Sequence, residues 1–200
     1  MTRQAQALYW AGSVIHTIGH STRGLAELVG LLTAHRVAQV IDVRRYPASR
    51  RHPQFAQAAL AAGLAAAGLG YRHEPDLGGR RSPRRDSANT AWRSAGFRGY
   101  ADYMETAAFP AALARLIASA RTAPTAILCA EAVPWRCHRQ LIADALVAQG
   151  ECVGHILGPG ELHRHELSPH AELLPGGVLR YPARRAEQHD LRLMPGEGGA

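Results

Sequence analysis

The stretch LCAEAVPWRCHRQ places thiol, carboxylate, imidazole and guanidinium groups in one short segment, at Cys129, Glu131, Cys137, His138 and Arg139. An apolar, strand-like run precedes the segment and a helical pattern follows it. Cys129 and Glu131 share a face because side chains alternate along a strand. A thiol in the first turn of a helix, as we predict for Cys137, has a lowered pKa and is a better nucleophile. We interpret the segment as part of a reactive site.

Polar residues of similar chemistry follow the other apolar runs of the chain. In open α/β sheets, ligands bind beyond the carboxyl ends of the strands, so side chains at these ends are expected to meet. The predicted catalytic residues are Asp42, Glu131, His20, His138 and Cys129. The predicted substrate- or phosphate-binding residues are Arg44, Ser49, Arg50, Arg51, Tyr71, Gly78, Gly79, Tyr100, Tyr103, Cys137 and Arg139.

The net charge of +7 comes from arginine, since the chain contains no lysine. A general preference for arginine codons would explain the composition but not its clustering. Four arginines lie within residues 44–51 and four within residues 80–85. A planar guanidinium grips phosphate in bidentate fashion. Clustered arginines on a basic chain therefore predict a polyanionic partner, with nucleic acid or a nucleotide first.

Several classes of protein are excluded or disfavoured. No apolar run approaches the roughly 18 residues that a membrane-spanning helix needs. The first residues lack the apolar core of a signal peptide, and three cysteines do not suggest a disulfide framework. We therefore expect a cytoplasmic protein. No CxxC or HExxH spacing is present, so neither a metal nor a cofactor is predicted.

Alternating patterns predict the framework that positions these residues. Apolar, β-branched runs predict strands at VIHTIGH, QVIDV, LGYRHE, TAILCAE and ECVGHIL. Helices are predicted between them, one capped by Ser21 or Thr22, one starting at Pro53 and one broken where Pro110 begins a second helix. We therefore predict a single α/β domain with a mainly parallel sheet of about five strands and helices on both faces.

Two regions lack such a pattern. The segment near residues 78–97 is rich in Gly, Pro, Ser and Arg, and we predict a loop that is mobile without ligand. Beyond Gly158 the composition turns to Pro, Gly, Arg and His. We place the α/β domain in residues 1–158 and a C-terminal extension, partly ordered at best, in residues 159–200.

Five motifs in order carry a resemblance to a known family. They are TIGHSTR, VIDVRRYPASRRHPQF, YRHEPDLGG, GFRGYADYM and LCAEAVPWRCHR. From about Thr17 to Ile156 the chain resembles the family catalogued as domain of unknown function 488. The resemblance implies an α/β fold with these motifs around a pocket, and it implies no particular reaction. A looser similarity links the IDVR strand end and the strand-Cys-loop-helix unit to rhodanese-type and phosphatase-type domains, although AEAVPW lacks the glycines of their anion loop.

Three functional hypotheses follow. The first is an enzyme that hydrolyses a glycosidic bond, as a DNA glycosylase does, or a phosphoester bond in nucleic acid or a nucleotide. Asp42 or Glu131 would supply the carboxylate and His20 or His138 would carry the proton, while Tyr71, Tyr100, Tyr103 or Trp92 would stack on a base. The second is cysteine-dependent sulfur or phosphoryl transfer by Cys129 or Cys137. The third is a non-catalytic module that binds nucleic acid.

Overall fold

The computed structural model describes residues 14–183, and its centre is a six-stranded sheet. The strands are β1 (Val14–Gly19), β2 (Gln39–Asp42), β3 (Gly70–His73), β4 (Thr125–Cys129), β5 (Cys152–Gly158) and β6 (Glu161–Arg164). Their order across the sheet is β3-β2-β4-β1-β5-β6. The first five strands are parallel and correspond to the five predicted ones, and β6 pairs antiparallel with β5. The predicted α/β class with a mainly parallel sheet is confirmed.

Helices cover both faces of the sheet, as predicted. They are α1 (Leu25–Ala34), α2 (Gln57–Ala66), α3 (Ala95–Met104), α4 (Ala108–Ala120) and α5 (Arg139–Ala148). Helices α1 and α2 pack on one face against Val40, and α3, α4 and α5 pack on the other against Ile41. Neighbouring residues of β2 thus enter opposite cores, because side chains alternate along a strand.

Four predicted helix starts are wrong by a few residues. Helix α2 begins at Gln57 rather than at Pro53, which opens a separate 3-10 turn, and α4 begins at Ala108 rather than at Pro110.

Helix α1 begins at Leu25 after Gly24, without a side-chain cap. Neither Ser21 nor Thr22 caps it, because the N-cap position is Gly24. The backbone N–H of Ser21 instead donates to the carbonyl of Ala130 and ties the end of β1 to the chain after β4. Helix α5 begins at Arg139, so Cys137 precedes the helix rather than lying in its first turn.

The long loop predicted near residues 78–97 is present, and it gives way to α3 at Ala95. Its centre is anchored. Asn89 is fully buried and donates to Asp102 Oδ1, which also accepts from the Ser87 hydroxyl. The anchoring holds the middle of the loop against α3, and the mobility predicted for the loop as a whole stays a prediction.

The chain after Gly158 contributes to the sheet and the core. β6 extends the sheet, and β7 (Glu172–Leu174) pairs with β8 (Val178–Arg180) in a small hairpin. The Tyr181 side chain is fully buried and donates a hydrogen bond to Asp144 of α5. Its backbone also bonds to Asn89 and Ala91 of the long loop. The rest of the predicted extension, residues 184–200, lies outside the described residues, and the proposed domain boundary stays a prediction.

Among residues 14–183, no helix is long and apolar enough to cross a membrane.

Candidate functional site

A cleft of about 680 Å³ lies at the carboxyl ends of the central strands. It is formed by the chain that follows β1, β2 and β4, and by both ends of the long loop. These segments meet because β2, β4 and β1 are neighbours in the sheet and run in the same direction. The residues that line the cleft are His20, Ser21, Arg44, Arg45, Tyr46, Ala48, Ser49, Arg50, Arg51, His52, Gly79, Arg80, Ser94, Gly96, Phe97, Cys129, Ala130, Glu131, Arg136, Cys137 and His138. All five motifs identified in the sequence therefore contribute residues to one space.

The wall of the cleft is strongly positive. Six arginines line it, against one carboxylate, that of Glu131. Within residues 14–183, Arg44 is the only one of the six with an ion pair, and half-buried Arg45 donates to the carbonyl of Arg80. The other four, Arg50, Arg51, Arg80 and Arg136, are exposed, so their charges face the cleft and solvent rather than an internal partner. The cleft suits an anion with several charges.

Asp42 lies behind this wall rather than in it. The Asp42 side chain is fully buried and accepts hydrogen bonds from Arg44 Nε (2.9 Å) and Nη2 (2.6 Å), from the Arg44 backbone N–H and from the Tyr71 hydroxyl. Its oxygens are therefore fully engaged. In this arrangement Asp42 orients Arg44, whose Nη1 reaches His20 and the carbonyl of Phe55.

His20 is held in one neutral tautomer. Its Nδ1 lies 3.0 Å from the carbonyl of Ser21, which can only accept, so Nδ1 donates. Nε2 then accepts from Arg44 Nη1 at 3.3 Å, and the ring stacks on Phe55 at 4.1 Å. Burial, with the nearby Arg44 charge, lowers the pKa of His20 to about 4. His20 is thus a neutral wall residue at pH 7, which weakens its predicted role as proton carrier.

Cys129, Cys137 and His138 form a compact cluster on the cleft wall. His138 Nδ1 lies 3.6 Å from Cys137 Sγ and 3.9 Å from Cys129 Sγ. The ring's other nitrogen, Nε2, lies 3.1 Å from the carbonyl of Val43 and must donate to it, so Nδ1 presents a lone pair to the sulfurs. A hydrogen bond from the Cys129 thiol, with His138 and Arg139 nearby, holds the pKa of Cys137 below its ordinary value. The same hydrogen bond, together with burial, raises the pKa of Cys129.

Arg139 is fully buried and organises the loop after β4. Its guanidinium donates to the carbonyls of Glu131 and Ala132 and to the hydroxyl of Thr17. Gly19 allows the same loop to approach β1, because a Cβ at Gly19 would come within 1.7 Å of the Glu131 carbonyl oxygen. With its backbone fixed in this way, Glu131 extends an exposed side chain into the cleft.

Two of the three non-glycine residues with positive φ among residues 14–183 line the cleft; the third, Arg36, follows α1. Ser21 and Arg80 are the two in the wall, with φ values of 47° and 58°, which non-glycine residues seldom adopt. Each such residue costs of the order of 1–3 kcal/mol. The fold tolerates this cost at two points of the wall, a pattern typical of binding sites.

A second, shallower hollow continues from the cleft. The two share Arg45, Tyr46 and Arg80, and the second adds Arg81 and Arg84. Arg84 is paired with Glu105. The positive surface therefore extends past the cleft in one direction.

The family model described as "Domain of unknown function DUF488" matches residues 24–146. The chain belongs to the DUF488 family. No curated protein and no solved structure matches the chain significantly. The matched residues include four of the five motifs that carried the resemblance, and β2, β3 and β4 with them.

This DUF488 chain brings together ten of the predicted site residues. The cleft is lined by His20, Arg44, Ser49, Arg50, Arg51, Gly79, Cys129, Glu131, Cys137 and His138. These come from four separated motifs, so their meeting depends on the strand order that the sheet provides.

The other predicted residues of the DUF488 site lie outside the cleft lining. Asp42 and Arg139 are buried behind it, Tyr71 binds Asp42, and Tyr100 is fully buried with its hydroxyl on the Leu77 carbonyl. Gly78 is buried, and Tyr103 lies in the second hollow, stacked under Arg81 at 3.6 Å. Trp92 packs against the core. None of these aromatic rings lies in the cleft lining to stack on a bound base there.

Two exposed aromatic side chains near the DUF488 cleft were not among the residues predicted from the sequence. Tyr46, 62% exposed, lines the cleft, and Trp135, 60% exposed, is next to the cleft residue Arg136. Arg45 and Arg136 were also absent from the predicted set. Tyr46 was signalled by its place between the arginines of the RRYPASRR segment, where a core aromatic is not expected.

Proposed function

We propose that this DUF488 protein binds single-stranded nucleic acid through its phosphates and hydrolyses a glycosidic or phosphoester bond in it. The observation that carries the proposal is the charge of the cleft, where six arginines face one carboxylate. Guanidinium groups without an internal partner are the ones available to phosphate oxygens. Arg50, Arg51, Arg80 and Arg136 meet this condition among the described residues.

The length of the positive surface favours a polymer over a mononucleotide. The cleft and the second hollow share Arg45 and Arg80, and together they offer more guanidinium groups than one nucleotide can contact. Successive phosphates of a strand would follow this surface.

Two exposed aromatic rings favour a single strand over a duplex. Tyr46 and Trp135 have rings open to solvent beside the arginines. Stacking of an unpaired base on such a ring is worth about 1–3 kcal/mol and requires no particular sequence. A base that is already unpaired would also enter the cleft without the cost of being flipped out of a duplex.

Glu131 is the carboxylate that we assign to the reaction. It is exposed in the cleft, and its side chain has no hydrogen-bond or ion-pair partner within residues 14–183. Asp42 is the less suitable candidate because four hydrogen bonds already occupy its oxygens. Glu131 would orient the attacking water, or stabilise the positive charge of a sugar that loses its base.

Binding is tested with a fluorescent single-stranded oligonucleotide at several salt concentrations. Arg50→Ala with Arg51→Ala should reduce the slope of log affinity against log salt by about 1.4, since each phosphate contact on a single strand contributes about 0.7. Arg121→Ala is the matched control, because Arg121 is exposed and precedes the amino end of β4, away from the cleft. An equal loss in both variants, or no binding by the wild-type chain, would refute the assignment of the cleft.

Activity is tested by incubating DNA and RNA strands with the protein and separating the products. An abasic site that alkali cleaves would identify glycosidic hydrolysis, and direct strand scission would identify phosphoester hydrolysis. Glu131→Gln should abolish either product and leave oligonucleotide binding intact. Binding without any product in the wild-type chain would instead identify a non-catalytic module.

A second candidate function is cysteine-dependent group transfer. It is favoured by one observation, the position of both thiols on the cleft wall beside His138 Nδ1. The double variant Cys129→Ser, Cys137→Ser separates the two proposals. Loss of turnover in this variant, with Glu131→Gln still active, would support the thiol mechanism.

A further inference from the structure

We propose that Cys129, Cys137 and His138 form a Zn²⁺ site whose fourth coordination position opens into the arginine-lined cleft. This goes beyond the proposed function, because metal affinity is measured without nucleic acid. It also differs from our sequence-based prediction of no metal. The separation of Cys129 and Cys137 matches no standard zinc pattern, and the turn between them is what brings their sulfurs together.

The distances within the cluster fit tetrahedral zinc. With Zn–S near 2.3 Å and Zn–N near 2.05 Å, the sulfur and nitrogen ligands of a tetrahedral site lie about 3.6 Å apart. Cys137 Sγ is 3.6 Å from His138 Nδ1, and Cys129 Sγ is 3.9 Å from it. All three ligand atoms lie within 4.8 Å of one another. Both sulfur–nitrogen distances therefore lie within a few tenths of an ångström of the tetrahedral value.

The orientation of the imidazole is that of a metal ligand. His138 Nε2 donates to the carbonyl of Val43, directly after β2, which fixes the proton on the nitrogen remote from the sulfurs. Metal-binding histidines commonly donate their second N–H to a carbonyl or carboxylate, and this contact sets both tautomer and ring orientation. The lone pair of Nδ1 thus faces the two thiols before any ion arrives.

The backbone around the cluster is fixed by contacts that do not involve the ligand atoms. Cys129 ends β4, whose other residues are paired with β1 and β2. The N–H of Cys137 donates to the carbonyl of Pro134 and closes the turn before α5. Gly79 of the long loop approaches the imidazole so closely that a Cβ there would lie 2.8 Å from Nδ1. A glycine at this position keeps the space before the ligand nitrogen free.

The donor set indicates both the ion and the type of site. Two thiolates and an imidazole are soft and borderline ligands, which select zinc over magnesium or calcium. Structural zinc sites have four protein ligands, whereas sites with three leave a position for water or substrate. Among the described residues the cluster has three members, and all three line the cleft. The open position therefore faces the space in which we place the phosphates.

The first test measures metal binding by the reduced, tag-free chain after treatment with a chelator. Zn²⁺ is titrated in competition with a chromophoric chelator, and Co²⁺ is titrated while its thiolate charge-transfer absorption is recorded. One equivalent per chain with a thiolate–cobalt band is expected. Cys129→Ser, Cys137→Ser and His138→Gln should each weaken binding at least tenfold. Cys152→Ser is the matched control, because that thiol lies in β5, outside the cluster, and should leave affinity unchanged.

The second test leaves all three proposed metal-binding side chains unchanged. Gly79→Ala should weaken Zn²⁺ binding tenfold or more, because the added methyl group displaces the imidazole. In the wild-type chain, Zn²⁺ should protect two of the three thiols from alkylation and leave Cys152 reactive, which needs no variant to fold. No cobalt–thiolate band in the reduced chain, binding that survives loss of either cluster cysteine, or equal protection of all three thiols would each overturn the proposal.

Discussion

The Asp42–Arg44 ion pair should support the cleft wall from behind, and breaking it should lower the free energy of unfolding by several kcal/mol. Asp42 is fully buried and Arg44 is 6% exposed, so neither charge is shared with water. In Asp42→Asn, an amide NH₂ replaces one oxygen and faces donors, either Arg44 Nη2 and the Tyr71 hydroxyl or the Arg44 backbone N–H and Nε. Breaking a buried pair on one side typically costs about 3–5 kcal/mol.

The individual hydrogen bonds of the pair give a similar value for the loss of stability. Two side-chain bonds join Arg44 to Asp42, and hydrogen bonds to charged groups are worth about 1.5–3 kcal/mol each. A domain of this kind has a total stability of about 5–15 kcal/mol, so the variant should lose a large share of it. Tyr71→Phe is the matched comparison. It removes one donor to the same carboxylate and leaves the ion pair, and it should cost about 1 kcal/mol.

The assay is urea unfolding followed by circular dichroism, applied to Asp42→Asn, Arg44→Met and the double variant. Because each single change leaves a buried group unpaired, the double variant should lose less than the sum of the two, with a coupling energy of about 2 kcal/mol or more. A loss below about 1 kcal/mol for Asp42→Asn, combined with abolished turnover, would refute this reasoning. Asp42 would then act in catalysis, as the sequence suggested.

Three further outcomes are expected. Burial first, then the nearby His165, lowers the pKa of His155 from 6.5 to about 3. The stability of the fold with neutral His155 is fully present above pH 6.5 and falls by up to about 1.4 kcal/mol for each pH unit below it. His155→Gln should therefore make the free energy of unfolding less dependent on pH between 6.5 and 5. His163→Gln, at an exposed residue, should leave this pH dependence unchanged. Gly19→Ala should cost about 3 kcal/mol in urea unfolding, because its methyl group overlaps the Glu131 carbonyl. Gly30→Ala, exposed inside α1 with nothing near its Cβ, should raise the thermal midpoint by stabilising the helix by about 1 kcal/mol.

The sequence predicts the sheet well because each parallel strand has a recognisable local pattern. Runs such as QVIDV and TAILC are apolar, β-branched and short, and each forms the expected parallel strand. β6 was not predicted, because Glu161–Arg164 is a polar segment whose strand character comes from pairing with β5. The start of α1 was misplaced for a similar reason, since a hydrogen bond to the distant Ala130 carbonyl holds Ser21 at the end of β1 and the N-cap falls on Gly24.

Position along a strand predicts which residues meet at the cleft, except where a hydrogen-bond partner takes a residue out of the lining. His20, Arg44, Cys129 and Glu131 follow strand ends, and the parallel order brings them to one cleft. Asp42 meets the same criterion, yet its neighbour two residues along engages it and takes it out of the lining.

Contacts between distant residues also decide two features that the local sequence does not reveal. The Tyr100 hydroxyl donates to the Leu77 carbonyl in the core, whereas Tyr46 stays exposed at the cleft with the Arg45 guanidinium over its ring. The sulfurs of Cys129 and Cys137 meet only through the turn at Pro134, which has no counterpart in linear spacing rules.

The central position of β1 in the sheet determines which fragments of this chain can fold. The family match begins at residue 24 and ends at residue 146, yet β1 lies between β4 and β5 in the middle of the sheet. A fragment cut at those limits would lack both β1 and β5, and β4 would keep a long apolar edge without hydrogen-bond partners. Such edges recruit other chains, so the fragment should aggregate rather than fold. We therefore expect that a stable recombinant fragment must extend beyond residues 24–146, the limits of the family match, and include both β1 and β5.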